Sequence, residues 1–97
     1  MNLEDCFPET IFAKKWIEEF GLRKAVIKQL TVVAGELFEV QDDFSRDDND
    51  RALMELVDVL QATYTAIRMI PGYSDEKINK IVNEVKAKNE KRGYYVQ

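Results

Sequence analysis

The chain has 97 residues, 45% of them hydrophobic and 33% charged, which is the composition of one folded domain rather than of a disordered segment. Its net charge of -4 argues against general nucleic-acid binding, and the lack of histidine removes the commonest general base and zinc ligand. A lone cysteine, Cys6, excludes an intrachain disulfide, and no membrane-length apolar run or export signal is present, so we expect a cytoplasmic protein that does not bind membranes.

The first predicted element is a helix from about Glu9 to Phe20, with Pro8 near its start and Gly21 at its end. Throughout the chain, apolar residues recur at helical spacing without sustained two-residue alternation, so we expect an all-α fold. The apolar face of this helix consists of Ile11, Phe12, Trp16, Ile17 and Phe20.

Two long helices follow, from about Leu22 to Phe44 and from about Asp50 to Ile70, joined by the polar segment 45–50. Such an antiparallel hairpin is half of a four-helix bundle, so we expect a homodimer or homotetramer to complete the bundle. The apolar stripe of the second helix is Val26, Leu30, Val33, Leu37, Val40 and Phe44. The stripe of the third helix is Leu53, Leu56, Val57, Leu60, Tyr64 and Ile67.

A fourth helix is predicted after Pro71-Gly72, capped by Ser74 or Asp75 and continuing to about Lys91. The two flanking helices and the hairpin together make a single domain over residues 1–97. The side of the fourth helix that we expect to be buried consists of Ile78, Ile81, Val82 and Val85.

Four acidic residues interrupt the apolar runs of the hairpin. Glu36 and Glu39 are three residues apart on the second helix, and Glu55 and Asp58 are three apart on the third, so each pair shares a helix face. Across an antiparallel hairpin the two pairs face each other. Partly buried carboxylates repel unless they share a positive group, and a hard divalent cation such as Mg²⁺ supplies one. The spacing therefore predicts a metal site.

The order Glu36-x-x-Glu39, fifteen intervening residues and Glu55-x-x-Asp58 resembles the signature of the MazG-like all-α nucleoside triphosphate pyrophosphohydrolases. The stretch Lys86-Ala87-Lys88-Asn89-Glu90-Lys91-Arg92-Gly93 is similar to the ending of the fourth helix in that family. The resemblance extends from about Leu22 to Gly93. It departs from the family pattern at Gly35, where a second, adjacent glutamate is usual.

The resemblance implies Mg²⁺-dependent hydrolysis of a nucleoside triphosphate to the monophosphate and pyrophosphate, with Mn²⁺ as the alternative ion. Glu36 would be the catalytic residue that positions the attacking water. The residues expected to hold the metal are Glu36, Glu39, Glu55 and Asp58. Those expected to hold phosphate are Lys86, Lys88, Asn89 and Arg92, and Trp16 is the candidate for contacting the base.

Gly35 also supports an alternative, a non-catalytic helical module that binds a nucleotide or a protein. A DNA-binding regulator is a weaker alternative, because the chain is acidic overall. The sequence leaves open the preferred base, whether canonical or damaged nucleotides are substrates, the physiological ion, and the choice between dimer and tetramer.

Overall fold

The computed structural model describes residues 11–96, apart from the side chains of Ile11 and Phe12. The predicted beginning of the first helix at Glu9 lies outside this range. Within it the chain is all-helical, with no strand, which confirms the predicted all-α class. The four helices are α1 (Ile11–Phe20), α2 (Leu22–Ser45), α3 (Asn49–Met69) and α4 (Asp75–Lys91). None of them is long and apolar enough to cross a membrane.

A single glycine separates α1 from α2. Gly21 adopts a φ of 83°, in the left-handed region that side chains disfavour. Its N–H donates to the carbonyl of Ile17 at 2.9 Å, which closes α1, and its own carbonyl accepts from the N–H of Ala25 at 3.0 Å, which opens α2. One residue thus ends one helix and begins the next, and it turns α1 back onto the hairpin.

The connection between α2 and α3 is shorter than the predicted loop and contains only residues 46–48. The side chain of Asp48 accepts a hydrogen bond from the N–H of Arg51 at 3.2 Å, the expected capping interaction at a helix start. Its own N–H donates to the carbonyl of Asp43 at 3.1 Å. These two bonds tie the end of α2 to the start of α3 and therefore set the register of the hairpin.

Small side chains form the contact between α2 and α3. Ala25, Ala52, Ala62 and Ala66 are buried, and the side-chain amide of Gln29 donates from Nε2 to the carbonyl of Ala62 at 2.9 Å. Alanines let two helix backbones approach closely. At the open end of the hairpin α1 completes a small core, which consists of Ala13, Ala25 and Met69 with Trp16, Ile17 and Val26 packed against it.

The large apolar residues of both predicted stripes point mostly away from this contact. Leu37 and Phe44 of α2 are 48% and 66% exposed, and Leu53 and Leu60 of α3 are 61% and 56% exposed. Within one chain each long helix has a single long-helix neighbour, and the face toward that neighbour is taken by alanines and polar groups. Except at the open end, where Val26 and Tyr64 are packed, the stripes are therefore left without a partner in the single chain.

The predicted buried side of the fourth helix is wrong for the single chain. No residue of α4 is buried, and Ile81, Val82 and Val85 are exposed, while Ile78 is half-buried. The physical reason is that α4 packs against neither long helix of the hairpin to any extent. Its start is nevertheless well defined, because the hydroxyl of Ser74 accepts from the N–H of Lys77 at 3.1 Å.

A polar cluster fixes the turn between α3 and α4. The hydroxyl of Tyr73 donates to the carboxylate of Asp75 and lies 3.4 Å from the hydroxyl of the buried Tyr64. The guanidinium of Arg68 lies over both rings, 5.2 Å from the centre of Tyr64 and 5.8 Å from that of Tyr73. The hydrogen bond to Asp75 raises the pKa of Tyr73 to about 12, so this phenol keeps its proton at neutral pH.

Candidate metal centre

Three of the four predicted carboxylates converge between α2 and α3. Glu36, Glu39 and Glu55 each offer an oxygen, and these oxygens all lie within 4.8 Å of one another. The three-residue turn produces this arrangement because it brings Glu39 of α2 and Glu55 of α3, which are six residues from the helix ends at the turn, beside each other. Glu36 and Glu55 are half-buried, and Glu39 is exposed at the rim.

The pKa values of two of these groups record their mutual repulsion. A hydrogen bond to Glu55 and the negative charge of that residue raise the pKa of Glu39 above its usual 4.5. Partial burial, followed by interactions with Glu36, raises the pKa of Glu55, and the charge of Asp58 acts in the same direction. Both shifts favour the protonated form, and a cation bound among these carboxylates would oppose them.

The oxygen Oε2 of Glu36 is enclosed by protein and has no hydrogen-bond partner among residues 11–96. A buried carboxylate oxygen without a donor is unfavourable, since no hydrogen bond within the protein replaces the hydration that it loses on burial. Together with oxygens from Glu39 and Glu55, it makes a hard, all-oxygen donor set. Mg²⁺ and Mn²⁺ prefer such a set, with water completing the coordination shell. The residues present therefore fit a divalent cation.

Asp58 lies beside this cluster rather than within it. It lines a cavity of about 430 Å³ together with Glu36. The other residues that line this cavity are Trp16, Gln29, Val32, Gln61, Ala62 and Thr65. The predicted base contact, Trp16, thus faces the same space as two of the predicted metal ligands. The ammonium group of Lys28 lies over one face of the Trp16 ring, 5.1 Å from the ring centre, in a cation–π contact.

The sequence prediction missed the polar residues of this cavity. Gln29, Gln61 and Thr65 each resemble an ordinary surface residue when they are considered alone. A signal was present in α3, since Gln61 and Thr65 follow Asp58 by three and seven residues and so share its helix face.

A second cavity, of about 700 Å³, opens on the other side of the cluster toward the α2–α3 turn. Glu39 and Glu55 belong to its lining, with the remaining residues Phe38, Asp42, Asp43, Arg46, Asp48 and Arg51. The sequence analysis did not identify its two arginines, Arg46 and Arg51, as site residues. They pair with the aspartates, Arg46 with Asp42 at 3.3 Å and Arg51 with Asp43 at 3.6 Å.

The predicted phosphate ligands lie apart from the carboxylates within one chain. Lys86, Lys88, Asn89 and Arg92 belong to α4 or its C-terminal cap, and none of them lines either cavity. Arg92 instead stacks over the ring of Tyr94, 5.9 Å from its centre. Within one chain, therefore, neither cavity brings these four residues together with the carboxylates.

In comparisons with known proteins, the chain matches no protein-family model, no curated protein and no solved structure at a significant level. The chemistry of the site therefore has to be inferred from its own side chains.

Replacing Glu55 with glutamine tests whether the carboxylates hold a cation. Since the pKa values of Glu39 and Glu55 are raised in the folded state, the metal-free protein loses stability as pH rises from 4.5 through those raised values. We therefore expect Glu55→Gln to raise the melting temperature in EDTA at neutral pH. In the native chain, Mg²⁺ or Mn²⁺ at about 100 times its dissociation constant should add about 2.7 kcal/mol of stability, and the variant should lose this gain.

Glu84→Gln is the matched control, because Glu84 is an exposed glutamate of α4 that lines neither cavity. It should leave both melting temperatures near those of the native chain. Differential scanning calorimetry with and without metal measures both effects. A metal-induced increase that is as large in Glu55→Gln as in the native chain would contradict the site.

Proposed function

We propose that this protein is a Mg²⁺-dependent nucleoside triphosphate pyrophosphohydrolase of the MazG-like kind, with Mn²⁺ as the alternative ion. The observation that supports this proposal most directly is the convergence of Glu36, Glu39 and Glu55 beside a cavity with an aromatic wall. The acidic motif and the ending of α4 resemble that family in order and spacing. The chain has no histidine to act as a general base, and the clustered carboxylates with a metal could take that part.

In this proposal Glu36, Glu39 and Glu55 hold the cation, and Asp58 holds it directly or through water. The bound ion would polarise the phosphoryl oxygens and offset the charge that develops on them. Glu36 accepts a hydrogen bond from a water and orients it toward the α-phosphorus. The water oxygen bonds to that phosphorus while the bond to the bridging oxygen breaks, and the products are the monophosphate and pyrophosphate. Trp16 contacts the base.

We further propose that the active form is a homodimer or homotetramer. Apolar residues of α2 and α3 recur in alternating steps of three and four, the pattern of helices that pack against parallel or antiparallel neighbours. The exposed members of this surface are Leu30, Leu37, Phe44, Leu53, Leu56, Val57 and Leu60. A second copy would cover them and complete a four-helix bundle. In such an assembly the phosphate ligands Lys86, Lys88, Asn89 and Arg92 would approach the carboxylates of a partner copy.

The catalytic proposal is tested by pyrophosphate release from a panel of canonical and oxidised nucleoside triphosphates, with Mg²⁺ and with EDTA. We expect metal-dependent release of pyrophosphate, and a loss of at least about 100-fold in Glu55→Ala, since even indirect partners of a metal commonly contribute 10- to 100-fold. Glu84→Ala removes an exposed acid of α4 outside the predicted phosphate-binding stretch, so it is the matched control and should retain the native rate. Failure to hydrolyse any nucleotide, or full activity in Glu55→Ala, would disprove the proposal.

The alternative is a non-catalytic helical module that binds a nucleotide or a protein, and Gly35 is the observation that favours it. At this position the MazG-like signature has a glutamate that would add a further carboxylate to the cluster. The backbone at Gly35 has space for a side chain to begin, because a Cβ atom there would meet no other atom within 4 Å. The glycine is therefore not required by packing within the chain.

Gly35→Glu and Gly35→Ala together separate the two functions. Both replace a glycine inside a helix, which by itself favours folding by about 0.5–1 kcal/mol. Gly35→Ala should show this gain, whereas in the metal-free protein the added negative charge of Gly35→Glu opposes it. If the protein is a hydrolase, Gly35→Glu alone should bind Mg²⁺ more tightly, measured by calorimetric titration, and should hydrolyse nucleotides at least as fast. Nucleotide binding by the native chain without any product, and product formation only in Gly35→Glu, would favour the module.

The oligomer is tested by light scattering during size-exclusion chromatography. We expect the native chain to elute as a dimer or tetramer. Leu60→Glu should raise the dissociation constant at least about tenfold, equivalent to about 1.4 kcal/mol, because it places a charge in an apolar contact. Thr31→Glu introduces the same charge at an exposed position of α2 outside the apolar surface and is the matched control. A monomeric native chain at micromolar concentration would contradict the assembly.

A further inference from the structure

One polar residue of the cavity beside the carboxylates has a fixed orientation. Gln29 is only 6% exposed, and its Nε2 donates to the carbonyl of Ala62 at 2.9 Å. A backbone carbonyl can only accept a hydrogen bond, so the amide group of Gln29 must keep its NH₂ toward Ala62. Rotating the amide by a half-turn would place Oε1 of Gln29 against the carbonyl oxygen of Ala62, and two acceptors cannot form a hydrogen bond. The oxygen Oε1 is therefore held on the opposite side of the group.

This oxygen is available to a ligand. Gln29 lines the cavity, and its Oε1 accepts no hydrogen bond from the part of the chain that the structure describes. It is also not among the enclosed, unpartnered atoms of residues 11–96, so it is open to solvent. Polar atoms in such a position are satisfied by water or by a bound molecule that donates a hydrogen.

Gln29 and Glu36, one of the clustered carboxylates, line the same cavity. Gln29 precedes Glu36 by seven residues, so the two lie on the same side of α2 about 10 Å apart along its axis. This separation is comparable to the length of a nucleoside. With the phosphates at Glu36, the base lies near Trp16 and Gln29, and its edge farthest from the sugar meets the amide oxygen.

We infer that Gln29 determines which base is accepted, and that the preferred substrates are nucleotides whose base carries an exocyclic amino group on the edge opposite the sugar. Cytosine and adenine present an amino donor there, which pairs with Oε1. Uracil, thymine and hypoxanthine present a carbonyl, which faces Oε1 as a second acceptor. This inference rests on the proposed nucleotide hydrolysis.

The neighbouring polar groups do not make this distinction. The amide of Gln61 can present either its oxygen or its nitrogen, and the hydroxyl of Thr65 can donate or accept. Each adapts to an amino group or a carbonyl. Of these three residues only Gln29 cannot exchange its oxygen and nitrogen, because its NH₂ is bonded to the carbonyl of Ala62 in the rigid backbone of α3.

The experiment compares nucleotide pairs that differ only in this substituent, dCTP with dUTP and dATP with dITP. For the native chain we expect kcat/KM to be roughly 10- to 100-fold higher for the amino member of each pair, the usual effect of leaving a buried polar group unpaired. In Gln29→Leu, which keeps the side-chain size, both ratios should fall toward one. A ratio measured within one protein does not depend on the fraction that is folded.

Gln61→Leu is the matched control, since the same substitution at the adjustable amide should keep both ratios whatever it does to the rate. Equal kcat/KM within each pair for the native chain, or ratios that survive Gln29→Leu, would overturn the role of Gln29 while leaving the hydrolase intact. If no nucleotide is hydrolysed, the hydrolase fails first. Melting-temperature shifts with dCMP and dUMP in Mg²⁺ then test base selection by itself, and equal shifts would overturn it.

Discussion

Repulsion among three carboxylates is the constraint around which the hairpin is built. The oxygens of Glu36, Glu39 and Glu55 lie within 4.8 Å of one another on the inner face of α2 and α3. Two helices can hold such groups together only if they approach closely and in a fixed register. Alanines such as Ala52 and Ala62 permit the approach, and the three-residue turn capped by Asp48 fixes the register. The inner face between α2 and α3 therefore carries acidic and small residues in place of large apolar ones.

The use of the inner face explains where the large apolar residues are. Leucine and phenylalanine cannot occupy a helix contact filled by alanine, glutamine and glutamate, so residues such as Leu37, Phe44 and Leu60 lie on the outer surface. A chain of 97 residues with so small a core gains little stability from its own packing. Any group that binds only the folded form, whether a cation at the carboxylates or a second chain on the outer surface, adds to that stability. If the proposed cation or second chain binds, its binding is therefore coupled to folding.

The sequence predicted the elements well because their signals are local. Gly21 marks the α1–α2 junction, Ser74 caps α4, and acids at three-residue spacing mark one helix face. It predicted burial poorly, since a stripe with steps of three and four has the same pattern whether its partner belongs to the same chain or to another. The cavity could not be predicted from the sequence either, because its lining residues come from three different helices. The orientation of the Gln29 amide depends on a carbonyl thirty-three residues away, which no spacing within α2 reveals.

The charges of the second cavity bear on how a triphosphate would reach the site. This cavity has five carboxylates, Glu39, Asp42, Asp43, Asp48 and Glu55, against two guanidinium groups. Both guanidinium groups are already paired with aspartates, at 3.3 and 3.6 Å. A bare polyanion meets net repulsion there. Under the proposed activity, the substrate would therefore enter as its complex with a divalent cation, or after the carboxylates have taken one, so that the same ion neutralises the protein and the phosphates. Substrate affinity would then depend on metal concentration even if the metal played no part in bond breaking.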